Sequence, residues 1–208
     1  MNRHRFGFGS AGSSVLRCCA VATFGFLLLP SMASAQKFEI KSVAEKKIDQ
    51  LPAGPLFWRI ENFPTLADAQ AAAGPTGLAA EVAGKAWLLT LGAKGEPSAG
   101  GSEVTEIGPV PPITAPKYLL RVNNASGPPG AKTPIHTHPG SETFYVITGQ
   151  LSQKSPHGVS HVDAGKSMPG HGPGMPMEVS SSGTTDLNAL VMFVVDATKP
   201  FSSAATMP

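Results

Sequence analysis

The sequence predicts an all-β fold, a jelly-roll barrel, with an N-terminal extension that contains one short helix. From Glu103 onward, short apolar runs recur at intervals of about 8 to 14 residues. Gly and Pro, 23 and 20 of the 208 residues, fall between those runs more often than inside them, which is the punctuation of short strands and turns. Regular short strands separated by turn residues describe a sandwich or barrel, and no internal repeat of the pattern points to a second copy.

The first 35 residues read as an address rather than as structure. Arg3, Arg5 and Arg17 precede an apolar run from Cys18 to Leu29, and Ala33-Ser34-Ala35 supplies the small residues of a cleavage site. The expectation is a signal peptide cut before Gln36 and a protein that is periplasmic or secreted. The apolar run is shorter than the roughly 20 residues a spanning helix needs, so no stable membrane anchor is expected in the mature form. Cys18 and Cys19 leave with the leader, which excludes disulfides, cysteine nucleophiles and zinc-thiolate sites. Loss of three arginines takes Lys+Arg from 16 to 13 against 14 Asp+Glu, a mature net charge near −1. With no basic stripe, nucleic-acid binding is not expected.

Residues 36–84 form the N-terminal extension. Within it, Leu56 to Ile60 reads as a short strand, and Thr65-Leu66-Ala67-Asp68 has capping-box spacing ahead of an alanine-rich helix that Gly74-Pro75 stops. Ala79 to Val82 and Ala86 to Leu91 read as strands of the main sheet, and 93–101 as a loop. The barrel domain is expected over residues 85–200, followed by a tail, 201–208. Its further strands are expected at Glu103 to Ile107, Tyr118 to Val122, Ile135 to His138, Glu142 to Thr148, Leu151 to Lys154, Val159 to Val162, Met177 to Ser180 and Leu190 to Val195.

His136 and His138 are two apart, so on a strand both imidazoles leave the same face. Pro139-Gly140-Ser141 reverses the chain, and Glu142 opens the next strand beside them. Two imidazoles and a carboxylate from neighbouring strands form the 2-His-1-carboxylate set that suits a divalent first-row metal. Phe144, Val146 and Thr148 share the inward parity of Glu142 and are expected to line the same pocket. His157, at a hairpin tip, is expected to face solvent, and the direction of His161 is left open by its neighbours. No phosphate loop, nucleophile elbow or dinucleotide fingerprint is present.

Gly130, five residues, His136-Thr137-His138, three residues, Glu142, six residues and Gly149 reproduce the first motif of the cupin superfamily at every spacing. On these residues the chain resembles a single-domain cupin, loosely over residues 85–200, and is similar to the quercetin-dioxygenase-like members. The resemblance implies a small jelly-roll barrel in which His136, His138 and Glu142 bind one divalent transition metal (Fe, Mn, Ni, Cu or Zn). It also implies a small-molecule ligand or substrate and a homodimer, and the extension at residues 36–84 is expected to cover an edge strand of its own or of a neighbouring subunit.

The second cupin motif departs from the family. Pro173-Gly174-Met175-Pro176 aligns with its turn, and Met177 stands where relatives carry a histidine. Three readings of Met177 stand side by side. It is core packing; or it leaves a fourth metal position open; or it is itself a soft ligand, with Met168, His171 and Met175 close in sequence. Met177 and His171 are thus candidates for a fourth ligand or for the pocket wall.

The leading functional expectation is a metal-dependent dioxygenase of small aromatic or hydroxylated compounds, with Glu142 as ligand and catalytic proton acceptor together. The alternatives are a non-catalytic cupin that binds a small ligand or metal, and a sugar isomerase or epimerase.

Overall fold

The computed structural model describes residues 37–207, so the expected leader lies outside the described residues. In chain order the elements are β1 (Glu39–Ile48), β2 (Phe57–Phe63), α1 (Leu66–Ala72), β3 (Gly77–Val82), β4 (Lys85–Gly92), β5 (Ser102–Ile107), β6 (Tyr118–Gly127) and β7 (His136–Thr137). They continue with β8 (Gly140–Thr148), β9 (Gln150–Ser155), β10 (Gly158–Asp163), β11 (Ser167–Pro169), β12 (Glu178–Ser181), β13 (Leu187–Asp196) and β14 (Ser203–Ala204).

Five strands form a central sheet in the order β1-β6-β13-β8-β11, all antiparallel. A front sheet, β10-β9-β12, is extended by β7 through bridges between His136 and Met177 and between Lys132 and Ser180. From β6 to β13 the chain passes back and forth between these two sheets, with β6, β8, β11 and β13 in one and β7, β9, β10 and β12 in the other. That is the jelly-roll topology. The all-β expectation therefore holds.

A third layer covers the other side of the central sheet. Here β3-β4-β2-β5 form a separate four-stranded sheet. The segments 79–82 and 86–91 therefore do not join the main sheet as expected. They pair with each other and with β2 and β5, and their apolar faces pack on its back. Trp58, Ile60, Leu89 and Leu91 meet Leu120, Val122, Leu190, Met192 and Val194 there. On the front face, Phe144, Val146, Ala189, Val191 and Phe193 pack toward Leu151, Val162 and Val179.

Because β13 is covered on both sides, nine of its ten residues are buried. Its sequence reads as a nearly unbroken apolar run rather than as an alternation. Helix α1 starts where the capping box places it, with the Thr65 hydroxyl accepting from the Asp68 amide at 3.1 Å. Strand β1 is a largely exposed edge rich in Lys and Glu, with a bulge between Ser42 and Ala44, features that discourage further edge pairing.

Candidate functional site

The site lies on the front face, where three inward-facing rows cross the central sheet. Register places Arg121, Phe193 and Glu142 in one row, Asn123, Val191 and Phe144 in the next, and Ala125, Ala189 and Val146 in the third. The two glycines that end the first motif have definite tasks. Gly149 turns β8 into β9 at φ +75°, and a side chain there would run into the backbone of Asp186 at 2.7 Å. Gly130 turns at φ +85° ahead of the histidine strand.

The short strand β7 is held on both sides. His136 exchanges two backbone hydrogen bonds of 2.9 Å with Met177, and β14 pairs along Thr137 and His136. Each imidazole is then fixed by a backbone carbonyl. His136 Nδ1 donates to Pro134 at 2.9 Å, and His138 Nδ1 donates to Phe201 at 2.7 Å. In the neutral ring this arrangement puts the lone pair on Nε2, which is how carbonyls orient metal-binding histidines. His138 is further clamped between Phe193 and Phe201, each ring 4.8 Å away, and Arg121 covers Phe201 at 4.2 Å. The His136 ring meets His138 edge-on at 4.9 Å and is half-buried.

Glu142 is 2 % exposed, and its Oε2 lies 4.0 Å from His138 Nε2. Burial pushes the Glu142 carboxyl up to about 8, against the opposing effect of its hydrogen bond from Gln153. Burial likewise pushes His138 down to about 4, assisted by His136 and Arg121 and opposed by the Phe201 carbonyl. At neutral pH both are uncharged, so this contact is not an ion pair. A cation beside the carboxyl would favour its ionised form and so lower the pH at which it loses its proton.

Gln153 of β9 is the residue that sequence reasoning missed. It is buried, and its Nε2 donates both to Glu142 Oε1 and to Met177 Sδ, the latter at 3.4 Å. Glu142 therefore has one oxygen held by Gln153 and the other turned to His138. The signal was parity: Gln153 shares the inward face of β9 with Leu151. Met177, 1 % exposed, lies opposite His136, and its sulfur is engaged by Gln153.

Other expected residues fall elsewhere. Thr148 is exposed and donates to Asp186 O, because it ends β8 beyond a bulge, six residues and roughly 20 Å of strand from Glu142. Val146 does not border the pocket, because it is buried in the apolar cluster with Leu151 and Leu187. Phe144 does border it. His171 supplies its backbone carbonyl to the Glu142 amide at 3.4 Å, while its ring turns to His157, 6.0 Å away, so the imidazole is not a fourth ligand. The cause is Gly170, whose backbone lies so close to Glu142 that a side chain would meet Cγ at 2.9 Å. His157 is exposed, as expected, and His161 is an exposed partner of the Ser152 hydroxyl at 2.7 Å.

Between the two sheets opens a cavity of about 650 Å³. His136, His138 and Glu142 line it, together with four aromatic rings, Phe38, Phe144, Phe193 and Phe201. Among the described residues, no three His, Cys, Asp or Glu side chains converge closely enough to cage a metal ion as they stand. The donor chemistry nonetheless fits one: two oriented imidazole lone pairs face a buried carboxylate that has no counter-charge.

No family model and no curated protein matches the chain. Solved structures do. An uncharacterized conserved protein with a double-stranded beta-helix domain from Klebsiella pneumoniae is 26 % identical, with 42 % of this chain and 75 % of that one covered and a TM-score of 0.36. A cupin-like protein from Thermotoga maritima is 15 % identical over 42 % of this chain and 65 % of that one, TM-score 0.37. DMSP lyase DddQ from Ruegeria pomeroyi is 21 % identical over 41 % of this chain and 43 % of that one, TM-score 0.37. The first two carry double-stranded β-helix or cupin-like descriptions. The chain spans less than half of the DddQ chain it matches. The fold assignment rests on the strand order above.

Proposed function

We propose that this chain is an exported cupin that binds one divalent first-row metal through His136 Nε2, His138 Nε2 and Glu142 Oε2, and that it acts as an oxygenase on small aromatic or hydroxylated compounds. The observation that carries the reading is the uncompensated carboxyl of Glu142 beside two imidazoles whose Nδ1 atoms are already committed to carbonyls. A bound divalent ion would supply Lewis acidity and a position for substrate or dioxygen.

The protein's own part is positional. Gln153 holds Glu142 Oε1, so Oε2 alone faces the histidines. Phe201 and Phe193 immobilise His138, and the phenyl wall keeps the cavity poor in water. Glu142 would supply the donor oxygen, and a carboxylate whose proton affinity burial raises would be a stronger acceptor than a solvated one for the proton of a bound hydroxyl.

A second reading, a non-catalytic binding protein, is favoured by one observation. The Gln153 amide and Met177 sulfur fill the side of Glu142 where related sites would place another imidazole, which leaves a donor set poorer in nitrogen.

Metal content of the purified protein, compared with His136→Ala and Glu142→Ala variants under equal metal supply, tests the centre. About one equivalent in the parent and near none in the variants is expected, and equally low occupancy in all three defeats it. Oxygen uptake with flavonols and catechols then separates the oxygenase from the binding protein.

A further inference from the structure

Asn123 lies in the row next to Glu142, on the cavity side of β6. It is 4 % exposed, and its carbonyl oxygen Oδ1 is sealed from solvent and meets no donor. Trp58 Nε1, Ser141 Oγ, Thr143 Oγ1 and Ser181 Oγ are also buried without partners, but Asn123 is the one of these residues that borders this cavity. Its neighbours across the sheet are Ser42, Val191 and Phe144, and although the Ser42 hydroxyl is able to pair with an amide, it does not meet Asn123 Oδ1.

An unpaired buried amide costs about 1–3 kcal/mol, and an apolar residue of the same size would remove that cost while packing equally well against Val191. The amide nitrogen, which has no partner either, is not sealed in this way, so it is the end free to meet a group inside the cavity.

We infer that Asn123 is a specificity-determining residue that hydrogen-bonds a hydroxyl group of a compact aromatic ligand held in the cavity. The four phenyl rings of the wall select a flat apolar body, which buries well against them by offset or edge-on contact. The amide selects its polar substituent. A half-turn of the amide about the last side-chain bond exchanges its oxygen and nitrogen, so either end can meet a hydroxyl, which both donates and accepts. Two strand spacings and two residues separate Asn123 from Glu142 in the sheet, roughly 12 Å between backbones, and inward-reaching side chains shorten that to the span of a small ring system. The inference rests on the ligand pocket of the proposed function and not on its metal.

The test compares two probes of equal shape, 2-naphthol and 2-methylnaphthalene, by direct titration of the full exported chain, both as isolated and after treatment with a chelator. The parent is expected to favour 2-naphthol about tenfold, the worth of one buried hydrogen bond. Asn123→Leu is expected to lose that preference, with 2-methylnaphthalene bound equally or more tightly, and Asn123→Ala guards against a misfolded first variant. Ligand-free Asn123→Leu is expected to melt no lower than the parent, because it removes an orphaned polar group, whereas a merely structural amide would make the variant melt lower. An equal probe ratio in parent and variants, or no measurable binding of either probe, overturns the inference. A preserved Asn123-dependent preference in protein that takes up no metal when supplied with it leaves the inference standing and defeats the metal centre. Metal bound without that preference does the reverse.

Discussion

The two faces of the central sheet are made by the same strands from alternate residues, and they have opposite characters. On the back, Leu120, Val122, Leu190, Met192 and Val194 interlock with Trp58, Ile60, Leu89 and Leu91. On the front, the positions between them carry Arg121, Asn123, Val191, Phe193 and Glu142, and they surround a cavity. Close packing on one side thus carries the sheet while the other side tolerates a hollow and two uncharged titratable groups. Stability and chemistry are separated by the period-two alternation of a strand.

The sharpest way to break this division is to damage the back. Leu120→Ala removes a fully buried side chain, and it is expected to cost about 3 kcal/mol in urea unfolding while leaving metal stoichiometry in the folded fraction unchanged. Metal loss in the folded fraction would show that the two faces are coupled.

Glu142→Gln is expected to act with the opposite sign on the metal-free protein. The folded-state value of Glu142 is raised from 4.5 to about 8, so the folded chain holds the proton longer than the unfolded one, and stability falls as pH rises through that window. His138, lowered from 6.5 to about 4, adds a penalty that grows as pH falls from 6.5 to 4. The two slopes oppose each other between 4.5 and 6.5, and Glu142 alone governs from 6.5 to 8. The variant is therefore expected to be more stable than the parent at pH 8 by roughly 2 kcal/mol, with a flat profile above 6.5, and to bind no metal. In the parent, metal affinity is expected to climb with pH up to about 8, with a proton released on binding near neutrality. An unchanged slope of unfolding midpoint against pH in Glu142→Gln would remove the carboxyl from this account.

Ending the chain at Pro200 sharpens the comparison from the front. It deletes the Phe201 carbonyl and ring that fix His138, and β14, which pairs with β7. A loss of metal affinity of about 10–100-fold is expected by titration, with the back-face core still folded by circular dichroism. The smallest effect belongs to Thr65→Ala, which removes the cap of α1 and is expected to cost about 1 kcal/mol without touching the pocket.

Much of this division could be read from the chain, and the exceptions have physical causes. The recurrence of short apolar runs and the capping box at Thr65 located most strands and the helix. The spacing of His136, His138 and Glu142 brought those side chains to one wall. Strand β1 was missed because an exposed edge carries the polar composition of a loop. The third layer was missed because an apolar run does not disclose which sheet it joins, although the unbroken run of β13 was a sign that both its faces are covered. Asn123 and Gln153 are single polar residues at inward parity, and parity can be used only once a strand's register is known. Phe201 left no mark at all: its part is played by a backbone carbonyl, which every residue has.

The tie between His138 and Phe201 also has a consequence in time. A chain emerging from the ribosome has both histidines and Glu142 in place long before residue 201, yet β7 gains its partner β14, and His138 its anchor, only once residues 201–204 have followed. Until then the histidine strand lacks both of these contacts, however much of the barrel has already been made.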